Sequence, residues 1–482
     1  MTHNIRSLTK QTLVYGVGTI MTRLVTFLLL PVYTNVLSPA EYGLALLVFV
    51  FTAFMNHIYN YGLDSALVRH YGEDPDPMQK TRVLSTAIWM ALGSSLLFSG
   101  IIFVLNKPLS QLLLFSVDYA ILMKFAAAIL FFDCIGRVPF ALLRLEEKPM
   151  LFMGVRLINV IVTLGLNIYF VVFLKTGIVG IFQSNVIASC LTAAVLYAVV
   201  ISKVKITISG NVAKDLMLFG LPFVPVGLAT AAMEMLNRYI VEHFMGLDAV
   251  GIFSAGYKLG IFMLLISTAF YYAWQPFFIK AGKKESSRAL FSRVLTYFVL
   301  VALSFWVVLT VFMHEIINFH VGGVHLIGPE FQGCESMVPF ILLGYVFYGI
   351  NQVFLPGIYF EKKTRYLAYI TLVAAGANIL SNFILIPILG LVGSAISSAI
   401  GYLVLAVSTL TVSQRLFKVP YEYKRIILLF IVSLTAGFIS YSLDLSIIMR
   451  VMIVVLLPII LRMLGFFKKE ELASLKILLP FK

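Results

Sequence analysis

The chain has 482 residues, of which 60% are hydrophobic and 12% charged, with a mean hydropathy of +0.98. About a quarter of a soluble domain's residues are charged, so this composition excludes a soluble domain and points to a polytopic membrane protein. The net charge of +14 reads as basic loops rather than a nucleic-acid surface. Three cysteines, Cys134, Cys190 and Cys334, exclude a disulfide framework.

The basic N-terminal stretch MTHNIRSLTK leads into an apolar run that lasts to about Leu37. That run is longer than a signal-peptide core and no small-residue cleavage site follows, so it reads as an uncleaved first span. A helix needs about 20 residues to cross the hydrocarbon core. Cutting at polar and Gly/Pro-marked breaks gives fourteen spans, near 11–37, 43–68, 83–105, 119–143, 150–174, 178–201, 214–245, 249–279, 290–314, 337–360, 365–389, 391–413, 425–443 and 446–467.

The basic residues test this cut. Loops on the side of the N-terminus hold 26 Lys and Arg, whereas the opposite loops hold Lys107 and Lys175 alone. This positive-inside pattern places both termini in the cytoplasm and requires an even number of spans. The longest opposite loop, about 315–336, carries Glu315, His320, His325, Glu330 and Glu335. His320 and His325 lack helical ligand spacing, and the stretch reads as a solvated loop rather than a metal or acid–base site.

Two halves of the chain resemble each other. LTKQTLVYG (8–16) pairs with VAKDLMLFG (212–220), and LSPAEYG (37–43) pairs with MGLDAVG (245–251). NIYFVVFLKTGIVGIFQS (167–184) pairs with NFILIPILGLVGSAIS (382–397). The expected architecture is therefore all-α. A lobe of six helices over 1–205 repeats over 206–414, and 415–482 adds two helices and a basic tail. Six is even, so a pseudo-two-fold along the membrane normal relates the lobes, with a substrate path between them.

Charges inside spans are costly and face a bundle interior or a wet cavity. Span one carries Arg23, too deep to reach the interface easily and without an acidic residue in helical reach. Span two carries Asn56, Asn60 and Asp64 at helical spacing beside His57. Span four carries Asp133 and Arg137 at i, i+4, a spacing that predicts a structural ion pair. Span seven carries Glu234, Asn237 and Arg238, where Glu234 is placed to neutralise Arg238. Span eight carries Lys258 and Gln275 on one polar face, and span ten has Asn351 and Gln352 near its middle. Lys124, Arg156, Arg450 and Arg462 lie near span ends and read as snorkelling cations. Glu242 and His243 read as interfacial. Arg23, Arg238 and Lys258 are the cavity cations, and a guanidinium suits a diphosphate because it donates two parallel hydrogen bonds.

Fourteen spans, a six-plus-six repeat, and FGLPFVPVGLA followed by LNRYIVEHFMGLDAVGIFSAGYKLG resemble the polysaccharide-specific flippases of the multidrug/oligosaccharidyl-lipid/polysaccharide exporter superfamily. LSPAEYGLALLVF, GLDSALVRHYGE, NFILIPILGLVGSAISSAIGY and SQRLFKVPYEYKR extend the resemblance over essentially the whole chain. It implies a multi-pass protein of the bacterial inner membrane that flips an isoprenoid-diphosphate-linked oligosaccharide to the outer leaflet by alternating access. The polysaccharide is O-antigen, capsule or exopolysaccharide. The implied partners are that lipid-linked substrate, membrane lipids, and polysaccharide polymerase and chain-length machinery. No cofactor or metal is implied, and coupling to H⁺ or Na⁺ stays open. One departure is Asn237-Arg238, where family members often show Asp-Arg. A drug/cation antiporter of the same superfamily and a membrane polysaccharide polymerase or ligase are the alternatives. The first wants unpaired carboxylates in the cavity, and the second a chemically equipped outer loop.

Overall fold

The computed structural model describes residues 27–73, 76–361, 363, 365–443 and 445–468, apart from the side chains at 72, 73, 226, 230, 233 and 234. The helices in chain order are α1 (Phe27–Val36), α2 (Pro39–Asn60), α3 (Leu63–Glu73), α4 (Pro77–Val104), α5 (Asn106–Leu114), α6 (Ala120–Leu145), α7 (Pro149–Asn167), α8 (Gly177–Val200), α9 (Gly210–Gly220) and α10 (Phe223–Met235). They continue with α11 (Asn237–Leu259), α12 (Ile261–Ala281), α13 (Glu285–Val311), α14 (Met313–Asn318), α15 (Val338–Val353), α16 (Pro356–Phe360), α17 (Arg365–Leu416), α18 (Tyr423–Ser442) and α19 (Ile447–Met463). A short antiparallel hairpin, β1 (His320–Val321) and β2 (Val324–His325), lies in the longest loop.

Apolar runs become helices because lipid offers no partner to a free peptide group, so each must bond within its own segment. The loops then set where helices begin. Ser38 caps α2 in a reciprocal box, its hydroxyl accepting from the Glu41 amide and the Glu41 carboxylate accepting from the Ser38 amide, with Pro39 at the first helical position.

Among the described residues, eleven helices are long and apolar enough to cross a membrane. They cover predicted spans two to thirteen, because α17 holds two of them. α1 covers the described end of the predicted first span, and the 17-residue α19 falls within the predicted last one. The all-α class is as expected. The breaks inside merged helices fall at glycines: Gly246 within α11 (φ 82°) and Gly390 within α17 (φ 58°). Positive φ costs an L-residue about 1–2 kcal/mol and glycine almost nothing, which is why glycine stands at both breaks.

Contacts divide the chain into two compact units. The first is drawn from the chain up to Lys258, His320–Cys334 and Thr371–Ser397. Its apolar core joins α3, α4, α6 and α9 through Leu63, Leu67, Leu84, Ile88, Leu142 and Leu216. Polar stitches close it elsewhere. Asn35 donates to the His325 carbonyl at 2.7 Å and accepts from the His325 amide at 3.1 Å, so its amide pairs with the hairpin as a strand would. Thr34 accepts from the Gly328 amide at 3.0 Å.

The second unit comprises Leu259–Phe319, Glu335–Ile370 and Ser398–Lys482. Its indole donors find backbone acceptors: Trp274 to Gln352 at 3.1 Å and Trp306 to Pro339 at 2.8 Å. Arg450, expected to snorkel, instead makes a two-pronged bond to Glu315 at 2.7 and 2.9 Å and a third to the Leu445 carbonyl. An anchored acceptor holds the guanidinium better than water at the interface. With His314 facing Glu335 at 3.1 Å, two of the loop-region carboxylates serve as structural partners.

Candidate functional site

Three helices of the first unit each turn a polar stripe inward. On α6 the stripe is Asp133, Arg137, Phe140 and Arg144; on α7 it is Phe152, Arg156, Asn159 and Thr163; on α8 it is Asn185, Ser189 and Thr192. The spacings of three and four residues put each set on one helix face. α2 adds Phe49 and Thr52, and α3 adds Asp64. Together they line a cavity of about 500 Å³, within the size range of small-molecule sites.

Three guanidiniums and two carboxylates line this space, and each is positioned by a different device. Ser189 donates to Asp133 at 2.7 Å. Arg137 donates to the Asn56 carbonyl oxygen at 3.1 Å. The Arg156 guanidinium lies 4.7 Å from the Phe140 ring centroid and 5.6 Å from that of Phe152, and the two rings meet edge to face. Asn60 and the Ser65 amide both donate to Asp64, at 2.9 and 2.8 Å. Asn159 donates to Thr192 at 2.8 Å. A cavity with more cation than anion, neutral hydrogen-bonding groups and aromatic rings suits an anionic, hydroxyl-rich ligand.

The predicted site residues divide. Asp64 lines the cavity and Asn60 orients it. Asp133 and Arg137 also line it, but no ion pair within 4 Å joins them among the described residues: each is hydrogen-bonded to a neighbouring helix, through Ser189 on α8 and Asn56 on α2. Arg156, expected to snorkel, faces the cavity.

Arg238 and Lys258 belong to a second cluster. Arg238 is buried, donates to Ser254 at 3.2 Å and lies over the Tyr257 ring at 5.2 Å. Lys258 sits between the Tyr33 and Tyr42 rings at 5.6 and 5.9 Å, and the Tyr42 hydroxyl beside it is buried with no hydrogen-bond partner. Asn237 accepts from Asn382. Arg23 lies outside the described residues, as does the side chain of Glu234. Gln275 and Asn351 fall in the second unit, where the Asn351 carbonyl oxygen is buried and unbonded.

Sequence reasoning missed Arg144, Asn159, Thr163, Asn185, Ser189 and Thr192. Their signal was present as the i, i+3, i+7 run Arg156, Asn159, Thr163 and the similar run Asn185, Ser189, Thr192. It was weak because uncharged polar residues are common in membrane helices.

The fold is that of known transporters. The lipid II flippase MurJ, in an inward closed conformation, superposes with a TM-score of 0.75 at 15% identity, covering 94% of this chain and 99% of that one. An inward-facing multidrug resistance MATE family transporter of the MOP superfamily gives 0.60 at 17% identity, covering 85% and 95%. A Vibrio cholerae MATE transporter, VcmN, gives 0.59 at 14% identity, covering 85% and 97%. Comparison with the sequences of curated proteins gives no match. Fold and apolar helices define a multi-pass, all-α membrane protein that shares the fold of these transporters.

The polysaccharide biosynthesis protein family matches residues 32–325. The chain belongs to that family, and the resemblance to polysaccharide flippases drawn from its motifs is borne out.

Proposed function

We propose that the protein carries an isoprenoid-diphosphate-linked oligosaccharide from the cytoplasmic to the outer leaflet of the bacterial inner membrane, for O-antigen, capsule or exopolysaccharide synthesis. Both termini lie on the cytoplasmic side. The observation that carries this reading is the cavity: guanidiniums outnumber carboxylates in a space also lined with amides, hydroxyls and rings, in a chain of a polysaccharide biosynthesis family. The sugars enter such a space, the isoprenoid tail stays in lipid, and Arg23, Arg238 and Lys258 hold the diphosphate as the lobes over 1–205 and 206–414 rock. A polymerase and chain-length machinery receive the product.

One observation favours the antiporter alternative: Asp64 and Asp133 both line the cavity, as cation exchange requires. The test is purified protein in liposomes with labelled lipid-linked oligosaccharide in one leaflet. The label is expected to change leaflets with no covalent change. Glycan elongation in that assay, or drug-driven H⁺ or Na⁺ exchange without lipid movement, overturns the reading.

A further inference from the structure

Resting on that reading, we propose that the first-unit cavity recognises the sugar part of the substrate and takes an acidic sugar, its carboxylate held between Arg137 and Arg156.

Position comes first. Arg144 stands in the last turn of α6, where the chain turns into α7. Arg137 lies seven residues back along α6, and Arg156 seven residues beyond Pro149 at the start of α7. At 1.5 Å per residue both are about 10 Å in from that turn. The two guanidiniums therefore line the cavity at about the same distance from that turn, on consecutive helices.

Charge comes second. At that level the two guanidiniums stand against one carboxylate, Asp133, one turn deeper than Arg137 on α6. Asp133 is held by Ser189. Arg137 bonds a neutral amide and Arg156 stacks on rings. Neither makes an ion pair among the described residues. One positive charge is left over, which matches a single carboxylate and falls short of a diphosphate diester's two charges. A buried carboxylate gains from bidentate guanidinium donors what it loses in hydration.

The surroundings come third. Asn159 and Asn185 bring amides and Thr163 a hydroxyl to the same space, and Phe132 brings an aromatic face. These are groups that bond sugar hydroxyls and cover the apolar face of a pyranose ring.

The experiment is saturation-transfer NMR on the full-length protein in neutral-lipid nanodiscs, with glucuronate, glucose and pyrophosphate as probes. Glucuronate is expected to bind saturably and at least about tenfold more tightly than glucose. Arg137→Gln and Arg156→Gln are expected to lose that preference, Arg137→Lys and Arg156→Lys to keep part of it, and the exposed Arg462→Gln to keep all of it. Size-exclusion profiles and helical circular dichroism confirm that each variant is folded. Equal binding of glucose and glucuronate, displacement of glucuronate by pyrophosphate, or absence of saturable binding each overturns the proposal. Lipid-linked glycans that cross in liposomes while glucuronate fails to bind sink this inference and leave the flippase reading intact. Glucuronate binding without any lipid movement does the reverse.

Discussion

Asn382 donates to Asn237 at 3.0 Å inside the first unit, and both are fully buried. Asn382 heads the segment that pairs in sequence with the one headed by Asn167. Tyr33 donates to Asn167 at 2.8 Å. Asn167 and Asn382 each take part in a buried polar bond, with Tyr33 and Asn237 respectively.

The bond between Asn382 and Asn237 predicts the effect of removing it. Asn382→Ala leaves the carbonyl of Asn237 and the hydroxyl of Ser394 without that partner, and is expected to cost about 1–3 kcal/mol. Asn237→Asp, which restores the acid common in the family, keeps the acceptor and is expected to cost less. Thermal unfolding in detergent, compared across the two variants, checks the order.

Gly43 and Gly251 make a second repeat-related contact. A β-carbon on Gly43 would strike the Leu247 carbonyl, and one on Gly251 would strike the Pro39 carbonyl. These are equivalent positions in LSPAEYG and MGLDAVG, so the two outer turns pack on each other reciprocally. Gly43→Ala and Gly251→Ala are each expected to lose about 1–3 kcal/mol. Gly93→Ala, which meets open space, is expected to be neutral or better. A loss at Gly93 equal to that at Gly43 would show that helix propensity, not close approach, governs.

The Glu422 carboxylate sets an acid limit. Burial alone would raise it, but hydrogen bonds from Lys468 and Thr296 and the nearby Arg425 outweigh burial and hold it below the usual carboxylate range. A carboxyl depressed in the folded state adds stability above its unfolded pKa and loses it as pH falls through the folded value. The melting temperature is expected to fall on acidification below about pH 4. Glu422→Gln flattens that part of the profile.

Arg450 and Glu315 form the best-defined ion pair of the second unit. A double-mutant cycle with Arg450→Gln and Glu315→Gln is expected to give a coupling of about 1 kcal/mol, because Glu315 is partly exposed. A coupling near zero would mean that Arg450 is held by the Leu445 carbonyl and by packing.

Lys258 carries an activity prediction. Lys258→Ala is expected to reduce lipid translocation while membrane insertion is unchanged, and Arg23→Ala to do the same. Full transport in both variants would remove these cations from the path.

Predicted spans two to thirteen were legible because the bilayer reads a chain along its length: about 20 apolar residues make a crossing. The turns at Gly246 and Gly390 were legible because a positive φ needs glycine whatever surrounds it. The site was half legible. Asp64, Asp133 and Arg137 stand out as charges in apolar runs, but their partners do not follow from spacing. Asp133 and Arg137 have the spacing of an ion pair, yet Ser189 and Asn56 take them. Arg156 has the position of a snorkelling cation, yet Phe140 and Phe152 hold it at the cavity.

Hydropathy and motif order are read along the chain one residue at a time, so the sequence by itself determined class and family. Which polar stripe meets which is a property of helices distant in sequence. Only the tertiary structure decided it, by setting α6, α7 and α8 face to face around a polar space while Arg238 and Lys258 packed against tyrosines.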